Sequence, residues 1–195
     1  MKRFIDLVLA LFILVTGFPL FIFIALCIYF EDGRPIFFRQ VRPGFKEKPF
    51  TIIKFRTMKE DENIDVSNDC NRITTVGKFL RKTSLDELPE IWNIFKGEMS
   101  FVGPRPLLAE YLDLYSTEHS VRHSVKPGIT GWAQINGRNN IDWNQKLSLD
   151  IWYIQNRTLL LDIRIIFLTV IKVIQRKDVN KEGFSTSDKF KGYEK

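Results

Sequence analysis

Residues 4–30 read FIDLVLALFILVTGFPLFIFIALCIYF, 27 residues in which Asp6 is the one charge. As a helix at ~1.5 Å per residue the run would be ~40 Å long, against ~30 Å for a bilayer's hydrocarbon core. It exceeds the ~7–15 apolar residues of a signal peptide, and Tyr29-Phe30-Glu31-Asp32 makes a poor cleavage site, so the segment is expected to stay attached. Gly17 and Pro19 interrupt it. Proline removes one helical hydrogen bond and clashes with the carbonyl four residues back, so the helix should bend there. The arm before it, Phe4 to Phe18, would reach only ~22 Å and cannot cross alone. Basic residues lie on both sides: Lys2 and Arg3 before, Arg34, Arg39, Arg42, Lys46 and Lys48 after. Cationic flanks stay on the cytoplasmic face. A kinked span would export one of them. A helix that dips in, breaks at Pro19 and returns keeps both inside, and this re-entrant form is favoured. Either way residues 1–30 read as a membrane anchor and 31–195 as a cytoplasmic domain at the membrane surface.

Beyond the anchor the chain is ordinary in composition. Its 195 residues suit one domain with an appendage. Hydrophobic residues at 45% and charged residues at 27% exclude a disordered acidic chain. Two cysteines, Cys27 in the apolar run and Cys70 in a polar stretch, exclude a disulfide framework and fit a reducing compartment. No C-x-x-C, H-E-x-x-H or Walker A pattern occurs. The net charge of +6 points to an anionic partner: nucleic acid, phospholipid headgroups or a phosphorylated substrate.

Pro35 to Val41 and Pro49 to Thr57 read as two strands of a small hairpin joined through Pro43-Gly44, with Lys54 and Arg56 on one face. Residues 60–72 read as a polar loop, and Val76 to Arg81 as a short helix. Thr83 to Gly97 carries helix signals: Ser84 and Glu87 match a capping box, and Gly97 a stop. Pro89 fits better in a first turn, which would start the helix later. In either register Asp86 and Glu87 stand near a helix N-terminus, and Leu88, Ile91, Trp92 and Phe95 form an apolar face. Two prolines bracket Arg105 and restrict its backbone. Leu107 to His123 and Asp142 to Asn156 read as helices, with a turn at Asn136-Gly137 between them. Leu159 to Lys177 reads as an amphipathic helix, lying in the membrane interface or buried in the core. The fold class is α+β, predominantly helical.

The acid pair Asp86-Glu87 has a plain reading, since acids in a first turn offset the helix dipole. Its functional reading is a carboxylate nucleophile kept ionised by nearby cations and a divalent metal. His119 and His123 have metal-ligand spacing without a third partner, and read as a surface pair. Trp132 could stack on a base but reads as packing. The cations in restricted settings, Lys54, Arg56, Arg81, Arg105 and Arg138, move the balance. Arginine forks match phosphate oxygens, and several beside a carboxylate pair describe a pyrophosphate site. Nucleic acid would call for a basic stripe with interleaved aromatics and leaves the apolar segment unexplained.

Four stretches carry a resemblance: Lys54-Phe-Arg-Thr-Met58, Ser84-Leu-Asp-Glu-Leu88, Met99-Ser-Phe-Val-Gly-Pro-Arg-Pro106, and Lys126-Pro-Gly-Ile-Thr-Gly-Trp132 through Asn136-Gly-Arg138. Over nearly its whole length the chain resembles the bacterial sugar transferase family, the small monotopic phosphoglycosyl transferases. Residues 181–190, KEGFSTSDKF, are similar to the branch acting on di-N-acetylbacillosamine and related amino sugars. The resemblance implies transfer of a sugar 1-phosphate from a UDP-sugar to undecaprenyl phosphate with release of UMP, with Mg2+ as cofactor. It implies a membrane enzyme of the bacterial inner membrane that starts glycan assembly, alongside downstream glycosyltransferases. Asp86 matches the nucleophile and a metal ligand, and Glu87 its dyad partner. Lys54, Arg81, Arg105 and Arg138 match phosphate-holding positions. A hexose donor such as UDP-galactose, serving capsule or O-antigen synthesis, is the alternative, and a membrane-tethered binding module the non-enzymatic one. The family's anchor breaks at Ser-Pro, where this chain has Phe18-Pro19.

Overall fold

The computed structural model describes residues 1–59, 72–137, 141–175, 190 and 192. Two helices open the chain, α1 (Lys2–Thr16) and α2 (Phe18–Asp32), bent by 60° where they meet. Pro19 lies in the first turn of α2, where a missing N–H is tolerated. A Cβ on Gly17 would come within 2.6 Å of the Ile13 carbonyl oxygen, so the break itself needs glycine. Among the described residues no single helix is long and apolar enough to cross a membrane, whereas the bent pair passes that test together, by length and composition.

Both ends of the pair return to the same body. Lys2 Nζ is 2.6 Å from Asp162 Oδ2 and donates to the Val102 carbonyl at 2.9 Å. Arg3 donates to the carbonyls of Ile94 and Phe95, and Asp6, the lone acid of the apolar run, accepts from the Phe101 N–H. At the far end Glu31 accepts from the N–H groups of Thr75 and Val76, and Arg56 donates to the carbonyls of Asp32, Gly33 and Arg34. Phe12, Val15, Phe18 and Phe23, around the bend, are exposed. This is the geometry of a helix–break–helix whose apex points away from the domain.

Strands β1 (Phe37–Pro43) and β2 (Pro49–Phe55) form the expected antiparallel hairpin, registered from Phe37 opposite Phe55 to Pro43 opposite Pro49. The hairpin lies across both anchor arms. Phe50 and Ile52 pack with Ala10, Ile91, Ile94 and Met99, while Phe55 packs with Ile24, Ile28 and Leu80.

Helix α3 (Thr75–Thr83) is capped by the Thr74 hydroxyl, which accepts from the Gly77 N–H. Ser84 then adopts a left-handed conformation (φ +57°), Leu85–Glu87 forms a 3-10 turn, and α4 (Glu90–Lys96) follows Pro89. The capping box therefore does not form: Ser84 ends one helix instead of starting the next. The late start suggested by Pro89 is what occurs, and Gly97 (φ +91°) closes α4 as expected. Its buried face is Ile91 and Ile94; Trp92 and Phe95 are exposed and stacked on each other at 5.6 Å.

Short strands β3 (Ser100–Val102) and β4 (Gly128–Thr130) pair in parallel, a contact the sequence reading does not contain. The continuous helix expected over Leu107–His123 is broken into a 3-10 turn (Ala109–Leu114), α5 (Thr117–Ser120) and a second 3-10 turn (Val121–Ser124). The chain is extended at Tyr115 and Ser116, and Ser116 caps α5 by accepting from the His119 N–H. After α6 (Trp132–Ile135), α7 (Trp143–Asn156) starts from Asp142, which accepts from the Gln145 N–H. Helix α8 (Leu159–Gln175) buries Asp162 and Ile165 and exposes Leu160, Ile163, Phe167, Val170 and Ile174. Cys70, the Arg176-Lys177 end and residues 181–189 lie outside the described residues.

Candidate active site

Four elements converge on the acid pair. Strand β2 brings Lys54, the 3-10 turn brings Asp86 and Glu87, the first turn of α4 brings Glu90, and the segment after β3 brings Arg105. Glu87 Oε1 is 2.6 Å from both Lys54 Nζ and Arg105 Nη2. Lys54 Nζ also stands 3.2 Å from Glu90 Oε1. Glu90 is buried, Glu87 and Lys54 largely so, and Arg105 keeps 42% of its side chain exposed. Asp86 is half-buried, and no donor among the described residues bonds its carboxylate.

These three neighbouring carboxyls are driven apart electrically. Burial and the neighbouring Glu87 charge push Asp86 up to about 6, against the pull of Lys54, Arg105 and Arg81. Burial also opposes ionisation of Glu87, but Arg105 and Lys54 outweigh it and hold the carboxyl well below the usual range. Glu90 is raised to about 7 by burial and by Glu87, with Lys54 pulling the other way. Glu87 is thus held as an anion, whereas Asp86 and Glu90 are each harder to ionise than a free carboxyl. Lys54 stays charged despite burial because of Glu87. The arrangement is one carboxylate whose Oε1 is locked to two cations, with a second carboxylate beside it that no donor among the described residues bonds.

Arg105 is held from behind. Arg122 Nη2 donates to the Arg105 carbonyl at 2.7 Å and pairs with Asp150 Oδ2 at 2.8 Å; Arg122 and Asp150 are both buried. Arg122 also donates to the Tyr115 hydroxyl at 3.2 Å. A buried guanidinium anchored on α7 thus fixes the backbone between Pro104 and Pro106. Arg81 Nε donates to Thr57 Oγ1 at 2.9 Å and acts on Asp86 through its charge.

Of the expected cations, Lys54, Arg81 and Arg105 gather at the acids, and Arg138 lies outside the described residues. Arg56 does not join them: strand β2 ends at Phe55, and Arg56 turns to the end of α2. His119 and His123 fall in separate short elements. His119 Nδ1 meets Ser116 Oγ at 2.7 Å, while His123 is buried and pushed down to about 4 by desolvation and Arg122. Trp132 stacks on Trp152 at 4.7 Å, as packing. Among the described residues no group of three or more His, Cys, Asp or Glu is placed to hold a metal by itself. Mg2+ usually takes one or two carboxylates and completes its shell with substrate phosphates and water. Asp86, whose oxygens meet no donor among the described residues, fits that use; Glu87, whose Oε1 already takes both Lys54 and Arg105, fits it less well.

Sequence reasoning missed three residues: Glu90, Arg122 and Asp150. Glu90 follows Pro89 at the start of α4, and an acid three residues after Glu87 was a visible signal. The Arg122–Asp150 pair joins distant segments with no local pattern to announce it.

The family model for "Bacterial sugar transferase" matches residues 1–176. The chain is 46% identical over 98% of its length to an uncharacterized sugar transferase, EpsL, of Bacillus subtilis, covering 96% of that protein. It is 44% identical over 88% of its length to the UDP-glucose:undecaprenyl-phosphate glucose-1-phosphate transferase of Escherichia coli. It is 38% identical over 91% to the undecaprenyl-phosphate galactose phosphotransferase of Salmonella typhimurium. The chain spans only 40% and 41% of the length of those two proteins. On this footing the chain belongs to the bacterial sugar transferase family and is an enzyme of that kind.

Proposed function

We propose that the protein transfers a sugar 1-phosphate from a UDP-sugar to undecaprenyl phosphate and releases UMP. One observation carries this: Asp86 lies among Lys54, Arg81 and Arg105 with no donor from the described residues on its carboxylate, while Glu87 takes the ion pairs. An Asp86 oxygen attacks the phosphorus bearing the sugar. The bond from that phosphorus to the UMP oxygen breaks, and UMP leaves, giving an aspartyl phosphosugar. A phosphate oxygen of undecaprenyl phosphate then attacks the same phosphorus. The aspartyl oxygen departs with its electron pair, and the carboxylate is restored. Lys54, Arg81 and Arg105, with Arg138, hold phosphate oxygens and stabilise charge developing on them. Glu87 fixes Lys54 and Arg105 in place. Mg2+ would be held by Asp86 together with substrate oxygens, neutralising the diphosphate.

A site serving one water-soluble and one lipid substrate belongs at a membrane surface. The bent α1–α2 pair with its exposed bend, and the exposed apolar stripe of α8, support seating the protein in one leaflet. Basic flanks on both sides of the pair support the cytoplasmic face of the inner membrane.

For the donor, the relatives named for glucose and galactose support a UDP-hexose. The stretch 181–190 supports an amino sugar instead. UMP release measured with UDP-glucose, UDP-galactose, UDP-N-acetylglucosamine and UDP-di-N-acetylbacillosamine, with and without undecaprenyl phosphate and Mg2+, tests both levels. Sustained release that needs a UDP-sugar, lipid and metal is expected, strongest with one donor, with no more than one UMP per chain when lipid is left out. No release with any donor overturns the reaction; preference for an amino sugar overturns the hexose.

A further inference from the structure

A cavity of about 630 Å3 opens between the first turns of α1, β3, the residues leading into β4 and the α7–α8 connection. None of Lys54, Asp86, Glu87 and Arg105 lines it. Helix α4 stands between the two places: Glu90 begins it at the acid cluster, and Arg3 holds the carbonyls of Ile94 and Phe95 at its other end, ~10 Å away.

The lining sets four cations, Lys2, Arg3, Lys126 and Arg157, against two carboxylates, Asp6 and Asp162. Both carboxylates are engaged. Asp162 pairs with Lys2 and accepts from the Tyr153 hydroxyl, and Asp6 accepts from the Phe101 N–H. Lys126 and Arg157 have no ion-pair partner among the described carboxylates, and Arg3 faces carbonyls only. Arg3 and Lys126 converge over Gly97, whose missing Cβ would stand 3.0 Å from Arg3 Nη2 and 3.5 Å from Lys126 Nζ. Like charges brought together in a part-buried place call for an anion; burial and Arg3 already push the Lys126 ammonium down, only partly relieved by Asp6. Ser100, 1% exposed, borders the same cavity with no hydrogen-bond partner for its hydroxyl. An orphaned buried hydroxyl beside unpaired cations is a ready donor to an oxyanion.

The surroundings say what the anion is attached to. The cavity lies at the start of α1 and at the start of α8, beside exposed Phe4 and Leu160. We propose that this cavity binds the phosphate group of an anionic membrane phospholipid, held by Arg3, Lys126 and Arg157 with Ser100 donating, its acyl chains running along the apolar flanks of α1 and α8. The inference rests on the membrane placement above and not on the chemistry at Asp86.

The test is native mass spectrometry of the full chain released from neutral micelles containing phosphatidylglycerol or phosphatidylcholine. One retained phosphatidylglycerol is expected on the native protein, and at least tenfold less on Lys126→Gln/Arg157→Gln. The charge-keeping Lys126→Arg/Arg157→Lys should retain it. UMP release in the same preparations shows that the variants are folded and reports the acid cluster separately; it should stay within about twofold of native. Equal retention by the Gln double variant, or equal retention of phosphatidylcholine, overturns the site. Displacement of phosphatidylglycerol by millimolar inorganic phosphate overturns the lipid as its source.

Discussion

Asp86, Glu87 and Glu90 occupy one turn and a half of chain, yet their surroundings push Asp86 and Glu90 up and Glu87 down. The consequence is a pH profile with a definite sign. Asp86 attacks only when ionised, so UMP release should fall about tenfold per unit as pH drops below about 6. Glu87→Gln removes the neighbouring repulsion and frees Lys54 and Arg105 to act on Asp86. The residual activity of that variant should be lower, because its cations are less well placed, with the acid limb moved to lower pH. An unmoved limb in a pH–rate series would show that Asp86 does not set it. At this scale most of the site was legible: the acid pair and the cations Lys54, Arg81 and Arg105 stand in motifs. Glu90 was not singled out, because its role depends on burial against Lys54, which no spacing rule reveals.

Among the elements, the segment between β3 and α7 does the positioning. Arg122, buried against Asp150, holds the carbonyl of the arginine that holds Glu87. Arg122→Met leaves Asp150 buried and unpaired and should cost about 3–5 kcal/mol of stability, read as a lower denaturant midpoint. The double variant Arg122→Met/Asp150→Leu should recover much of that stability while UMP release stays low, because the Arg105 backbone is still unheld. Full recovery of both would make the pair purely structural. Here the sequence was a partial guide. Hairpin, α7 and α8 follow from pattern and caps. The helix expected over 107–123 failed because Ser116 caps a new start after extended Tyr115. The β3–β4 pair was hidden because three-residue parallel strands have too few residues to show a period.

For the molecule as a whole, the decisive feature is that both anchor ends are tied to one body. The sequence places the weight of the bend on Pro19. Restoring one helical hydrogen bond there is worth about 1 kcal/mol. Against it stand Lys2 on Asp162, Asp6 on Phe101, Glu31 on two N–H groups and Arg56 on three carbonyls. Pro19→Ala alone should therefore leave the bend nearly unchanged. Pro19→Ala with Lys2→Ala and Arg3→Ala should open it, seen as a longer distance between spin labels at Leu9 and Leu26. A longer distance in Pro19→Ala alone would return the weight to proline.

The central claim, that Asp86 itself carries the sugar phosphate, is open to direct weighing. Native protein and Asp86→Asn are mixed with the preferred UDP-sugar and Mg2+, without lipid acceptor, quenched, and measured by intact-mass spectrometry. A gain of one phosphosugar on the native chain, absent from Asp86→Asn and discharged by undecaprenyl phosphate, is the expected result. No gain on the native chain at any time, in a preparation that releases UMP once lipid is added, would contradict it.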